Sequence, residues 1–221
     1  MRNTQQQRPY NVAYYANNRD AEIQRVTSRQ RSTLAWLREL CRVPCLDCGG
    51  TYPPFAMDFD HRDPSTKLFD LRAGSGGIWL KSRQVLEAEV AKCDIVCANC
   101  HRVRTHRVFV DGALRPPTFR RKPRSADRRT LRDRDKVFNK RREQSALLRA
   151  FKKSACFDCG RHFAWFVMEF DHREGTTKRG LVSQMPGRVG LMTLLLEIEK
   201  CDIICAVCHR IRTYNRRQLA S

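Results

Sequence analysis

The sequence predicts an α+β protein built as two tandem small units, each preceded by a basic helix. Three observations carry that expectation. The 221-residue chain repeats its own motifs, its eleven cysteines fall mostly into Cys-x-x-Cys pairs at matching places, and the stretches between those pairs alternate strand-like and helix-like patterns. With 41% hydrophobic and 30% charged residues, the chain is too apolar for disorder and lean for one large core.

The repeat is explicit. Residues 45–61 read CLDCGGTYPPFAMDFDH and residues 156–172 read CFDCGRHFAWFVMEFDH, an offset of 111. Residues 92–105, KCDIVCANCHRVRT, match residues 200–213, KCDIICAVCHRIRT, at an offset of 108. The difference between the offsets falls in dissimilar Gly-containing stretches at 74–77 and 186–190, where a loop absorbs length changes that a packed element would not.

Taken in order, residues 1–40 form a basic helical N-terminal arm whose end, RQRSTLAWLREL, stripes Leu34, Leu37 and Leu40 at helical spacing. The first unit covers 41–112. A basic linker and helix follow over 113–150, opening on Pro-rich loop signals and ending in KRREQSALLRAF, with Leu147, Leu148 and Phe151 as its stripe. The Arg-dense part reads equally as a solvated helix and as an arm along phosphates. The second unit covers 151–216, and 217–221 is a short tail. Within each unit, Cys-x-x-Cys-Gly makes a tight knuckle, and FAMDFDH and WFVMEFDH read as strands. Ser82 caps a helix carrying Val85, Leu86 and Val90 on one face, with its counterpart in 191–201. CDIVC and CDIIC are short apolar strands or turns, and a basic helix starts at each Cys-His.

Lys and Arg exceed Asp and Glu by 20, and the sequence pI is near 10.1, which calls for a polyanionic partner. Such charge binds phosphates through counterion release, so a nucleic acid is expected, DNA first, with RNA not excluded. No apolar run approaches the roughly 18 residues of a membrane span, and the first residues carry no secretory pattern. A soluble cytoplasmic protein is expected, with no membrane partner and no small-molecule cofactor.

In that setting a disulfide framework gives way to metal binding. Cys45, Cys48, Cys97 and Cys100 form two pairs in the first unit, and Cys156, Cys159, Cys205 and Cys208 form two in the second. Four thiolates on two knuckles make the closed tetrahedral site that structural zinc prefers, so two structural Zn²⁺ ions are expected. Such small cores leave much of the folding free energy to the metal. Cys41, Cys93 and Cys201 remain as small buried thiols.

Other residues then look like chemistry. Asp60-His61 and Asp171-His172 each end a strand, and His101 and His209 each follow the last knuckle cysteine. Phosphodiester hydrolysis needs a base for water and a cation for the phosphate. A neutral His suits the first task, and a carboxylate with a second His suits Mg²⁺ or Mn²⁺. His106 and His162 have no counterpart in the other unit and read as ordinary polar residues.

In these motifs and their order the chain resembles the HNH endonuclease family in its four-Cys zinc variant, over roughly 45–106 and 156–214. The resemblance implies two tandem ββα-metal (HNH) units. It implies that His61 and His172 are general bases, and that Asp60 and Asp171, with His101 and His209, hold one catalytic divalent ion at the scissile phosphate. It also implies nicks with 5′-phosphate and 3′-hydroxyl ends. The chain departs from the family pattern where a middle Asn is expected: Lys92 and Lys200 stand there, and Asn99 reads as a plain turn residue.

Lys92 and Lys200, with Lys67 and Lys178, are candidate phosphate contacts, as are Arg102, Arg104, Arg210 and Arg212 on the helices after the knuckles. The expected function is a metal-dependent DNA endonuclease whose duplicated centres let a monomer cut both strands. The alternatives are a non-catalytic zinc-stabilised nucleic-acid-binding protein, or one active and one binding-only unit.

Overall fold

A computed structural model describes residues 4–71, 78–110 and 128–219. The Pro-rich opening of the linker and the Gly-rich stretch at 74–77 lie outside the described residues. Packing divides the chain into Met1–Val96 and Cys97–Ser221.

In the first unit, helix α1 (Thr4–Leu40) runs the length of the expected arm. Its Leu37 is buried with Leu71, Ile78, Leu86 and Cys93, and Trp36, Phe59 and Val90 pack around them. Strand β1 (Met57–His61) pairs with β2 (Cys93–Cys97). Between them, helix α2 (Arg83–Val90) starts where Ser82 Oγ accepts the amide of Val85 at 3.4 Å, as the sequence predicts. The face it buries differs from the expectation. Leu86 and Glu89 are inward, while Val85 is 41% exposed. Three residues separate Leu86 from Glu89, so they share a face. A Glu is tolerated there because its carboxylate is fully hydrogen-bonded, as described below.

The second unit holds helices α3 (Ala98–Val110), α4 (Arg128–Phe151), α5 (Leu191–Ile198) and α6 (Ala206–Leu219), with strands β3 (Met168–His172) and β4 (Cys201–Cys205). Its core gathers Leu148, Val182, Met185, Leu194, Ile198 and Cys201. Burying one such aliphatic side chain contributes roughly 1.5–3 kcal/mol. Within the α4 stripe only Leu148 is buried, and Phe151 is 38% exposed. Gln144 takes a buried place one turn earlier. Its Oε1 accepts the Gly187 amide at 2.7 Å and its Nε2 donates to Val189 O at 3.1 Å. Gly187 has φ of +80°, and a Cβ there would meet Arg141 Cβ at 2.9 Å.

The packing boundary falls ahead of the first repeat's basic helix, whereas the motif order places that helix within 41–112. The physical reason lies at the start of α3. Buried Asn99 offers Oδ1 to the amide of Val207 at 3.0 Å, satisfying a free donor in the first turn of α6. Asn99 is therefore a cap for α6 and not a plain turn residue. Its partner is the residue that matches it in the repeat.

Candidate functional site

Each repeat gathers four cysteine sulfurs. Those of Cys45, Cys48, Cys97 and Cys100, and those of Cys156, Cys159, Cys205 and Cys208, lie within 4.8 Å of one another. The knuckles are shaped for this. Gly49 and Gly160 take φ of +67° and +68°, letting their amides donate back to Cys45 O and Cys156 O at 2.8 Å. Backbone amides also face the sulfurs, with Cys100 N 3.5 Å from Cys97 Sγ and Cys205 N 3.2 Å from Cys156 Sγ. An all-thiolate tetrahedral donor set fits zinc, and the chain can hold two such ions. In the second cluster, burial pushes the Cys205 and Cys208 thiols up. Hydrogen bonds led by those of Arg161 outweigh burial at Cys159 and bring it down to about 7. Burial raises Cys41 to about 12, and Cys93 and Cys201 to about 11, in keeping with inert core thiols.

The strand-ending histidines have a partner that the sequence reading missed. His61 Nε2 lies 2.8 Å from Glu89 Oε1, and His172 Nε2 lies 2.8 Å from Glu197 Oε1. Both glutamates are 1% exposed. Oε1 of Glu89 also accepts the Leu68 amide at 2.7 Å, and Oε1 of Glu197 accepts the matching Arg179 amide at 2.8 Å. Burial alone would raise these carboxyls. Hydrogen bonds, led by those from Lys92 and Lys200, hold both at about 2, so they are ionised. An ionised carboxylate can only accept, so Nε2 carries the proton and Nδ1 is the nitrogen able to take one. The available signal was the match of Glu89 with Glu197 at the 108 offset.

Lys92 and Lys200 belong to this assembly. Lys92 Nζ donates to Glu89 Oε2 at 2.7 Å and to Thr66 O at 3.1 Å; Lys200 Nζ donates to Glu197 Oε2 at 2.8 Å and to Thr177 O at 3.0 Å. At the place where an Asn was expected, each lysine ties the loop after the strand to the buried glutamate. These two cations are engaged internally, in contrast to the phosphate-facing role expected of them. Arg102 likewise donates to Phe166 O at 3.3 Å and pairs with Glu169. Lys67 pairs with Asp70 at 2.5 Å, and Lys178 is exposed. Arg104 and Arg210, on α3 and α6, are half-buried.

The aspartates before these histidines lie on β1 and β3. In the second unit, Asp171 faces Asp202 across the β3–β4 ladder, a like-charge pair that would repel unaided. Arg212 bridges it, its Nη1 donating to Asp171 Oδ2 at 3.1 Å and Asp202 Oδ2 at 2.8 Å, while its Nε reaches Asp158 at 2.8 Å. Arg212 is thus also committed internally. Arg216 adds a two-pronged grip, with Nη1 on Asp171 Oδ1 at 2.8 Å and Nη2 on Oδ2 at 2.9 Å. Against the effect of burial, the two guanidiniums hold the Asp171 carboxyl below its usual range. His209 turns Nδ1 to Glu169 and keeps Nε2 3.5 Å from Asp171 Oδ1. Asp60 and His101 are the first repeat's counterparts of Asp171 and His209; both are half-buried. His106, read as an ordinary polar residue, stacks on Phe166 with centroids 3.7 Å apart.

Among the described residues, groups of three or more clustered metal-ligand atoms occur only at the two cysteine sites. Comparisons of the chain with protein-family models, curated proteins and solved structures find no match.

Proposed function

We propose that the protein is a metal-dependent DNA endonuclease with a structural zinc in each repeat. The observation that carries this reading is the duplicated grip of a buried, ionised glutamate on the histidine that ends the Asp-His strand. A carboxylate on Nε2 fixes the imidazole's tautomer and orientation and stabilises the imidazolium that forms when Nδ1 takes a proton from water. The same series of loop lysine, buried Glu and His stands in both repeats.

The histidine acts as general base, and its Glu is the positioning residue. Asp60 and His101 are the residues that would hold a Mg²⁺ or Mn²⁺ ion in the first repeat. Such an ion supplies positive charge to the scissile phosphate and the departing oxygen. The excess of 20 positive charges brings DNA to the protein without sequence preference.

The test is cleavage of supercoiled plasmid by zinc-loaded protein with Mg²⁺ or Mn²⁺ added or omitted. Relaxation that needs the added ion and is lost in His61→Ala, with zinc content and circular dichroism unchanged, supports the proposal. Folded, zinc-loaded protein that shifts DNA but cuts it with neither ion would make it a binding protein.

A further inference from the structure

We infer that in the second repeat an arginine has taken the place of the divalent ion, so that the second repeat's Asp171 binds no metal while Arg216 is present. The inference rests on the nuclease reading for its meaning, though its test does not depend on cleavage.

The carboxylate of Asp171 is fully used by protein cations. Its side chain is 5% exposed, and both oxygens are bonded to Arg216, one of them also to Arg212. Arg216 is held from further sides, with Nε on Glu174 at 3.1 Å and Nη2 on His172 O at 3.3 Å. Arg212 and Arg216 are four residues apart on α6, so both present their guanidiniums to the same strand. A Mg²⁺ or Mn²⁺ ion sits about 2.0–2.2 Å from its oxygen ligands. No such position is open on Asp171 without displacing the Arg216 fork. The residues of the second repeat therefore do not fit a catalytic ion as arranged.

The repeat locates the change in one residue. At the 108 offset, Arg212 matches Arg104 and His209 matches His101, but Arg216 matches Val108. An arginine stands at the position of the bridging residue in both repeats, whereas the one at the position of the fork occurs in the second alone. Seven positions after the Cys-His histidine, the second repeat thus carries the arginine that forks onto its aspartate, and the first carries Val108.

The experiment is a Mn²⁺ titration of the zinc-loaded full-length protein, with free Mn²⁺ read by its electron paramagnetic resonance signal. Arg216→Val, which installs the first repeat's residue, should bind one more equivalent of Mn²⁺ than wild type. Adding Asp171→Asn to it should remove that equivalent, and Asp171→Asn alone should leave the wild-type count unchanged. Zinc content and circular dichroism qualify each sample. If Arg216→Val does not fold, Arg216→Gln keeps the length and a hydrogen-bond donor while dropping the charge, and carries the same expectation. The inference is overturned if neither variant gains an ion, or if Asp171→Asn lowers the wild-type count. The nuclease reading fails separately, if wild type binds Mn²⁺ and leaves plasmid intact.

Discussion

The two repeats hold their histidines alike and treat the neighbouring aspartate differently. His61 and His172 each rest on a buried glutamate at 2.8 Å, and each glutamate is tied to a lysine and a loop amide at matching positions. Beside His172, however, Asp171 is gripped by Arg216, and the matching residue in the first repeat is Val108. A duplicated domain can keep the part that shapes its fold while one copy adds an ion pair at a shared aspartate. The glutamate stays in both because it is buried in both, and removing its partners would strand a charge. The aspartate also stays, and what differs is the residue at the position of Arg216, which in the second repeat satisfies the buried carboxylate of Asp171.

The largest expected effect breaks either repeat at its metal. Cys208→Ser or Cys100→Ser should each lower the zinc content from two ions to one and unfold the repeat concerned, because structural zinc contributes on the order of 10 kcal/mol to such small cores. Zinc analysis and thermal melts check this. If either variant keeps two zincs and its melting temperature, the sulfurs are not the ligands.

A second prediction sharpens the difference between the repeats. A positioned general base contributes about 10²- to 10⁴-fold. His61→Ala should lose at least a hundredfold in plasmid cleavage, and His172→Ala less than tenfold, measured as initial rates on equal zinc-loaded samples. Equal losses would place both repeats in the reaction.

The third concerns pH, where the repeats should agree. Folding holds Glu89 and Glu197 at about 2, below the usual glutamate value of about 4.3. A lowered carboxyl contributes stability that is fully present above about pH 4.3 and disappears as the pH falls toward 2. Glu89→Gln and Glu197→Gln should each cost about 1–3 kcal/mol at pH 7, with the gap to wild type narrowing below pH 4.3. Denaturant melts at several pH values measure it. Acid release of zinc acts on wild type and variants together, so the difference is the quantity to follow.

Much of this was legible in the chain. Cys-x-x-Cys spacing and the two offsets were enough to place both cysteine clusters, because metal ligands must keep type and spacing. The Asp-His strands, the Ser82 cap and the helices after each Cys-His also lie where the patterns put them. The roles of Glu89, Glu197 and Arg216 were not legible. A glutamate within a helix normally faces water, so apolar periodicity favoured Val85 for the buried face over Glu89. Lys92 and Lys200 looked like free charge because nothing local in the sequence reveals a carboxylate three residues earlier turned into the core. Arg216 was hidden among many arginines, and only its aim at Asp171, 45 positions away, separates it from them.

The smallest effect is confined to the second repeat. Gly187→Ala should cost about 1–3 kcal/mol, since the residue has a left-handed φ and its Cβ would press on Arg141. Gln144→Ala should cost about 1–3 kcal/mol by stranding the Gly187 amide and the Val189 carbonyl. Neither should alter plasmid cleavage if the first repeat does the chemistry.

The central claim, one competent centre in a duplicated chain, is tested most directly by the order of products on supercoiled plasmid. With zinc-loaded wild type, Mg²⁺ and enzyme in excess, nicked circles should form first and linear DNA should follow only after a lag, as independent second nicks accumulate. Linear DNA formed from the outset, and lost equally in His61→Ala and His172→Ala, would contradict the account.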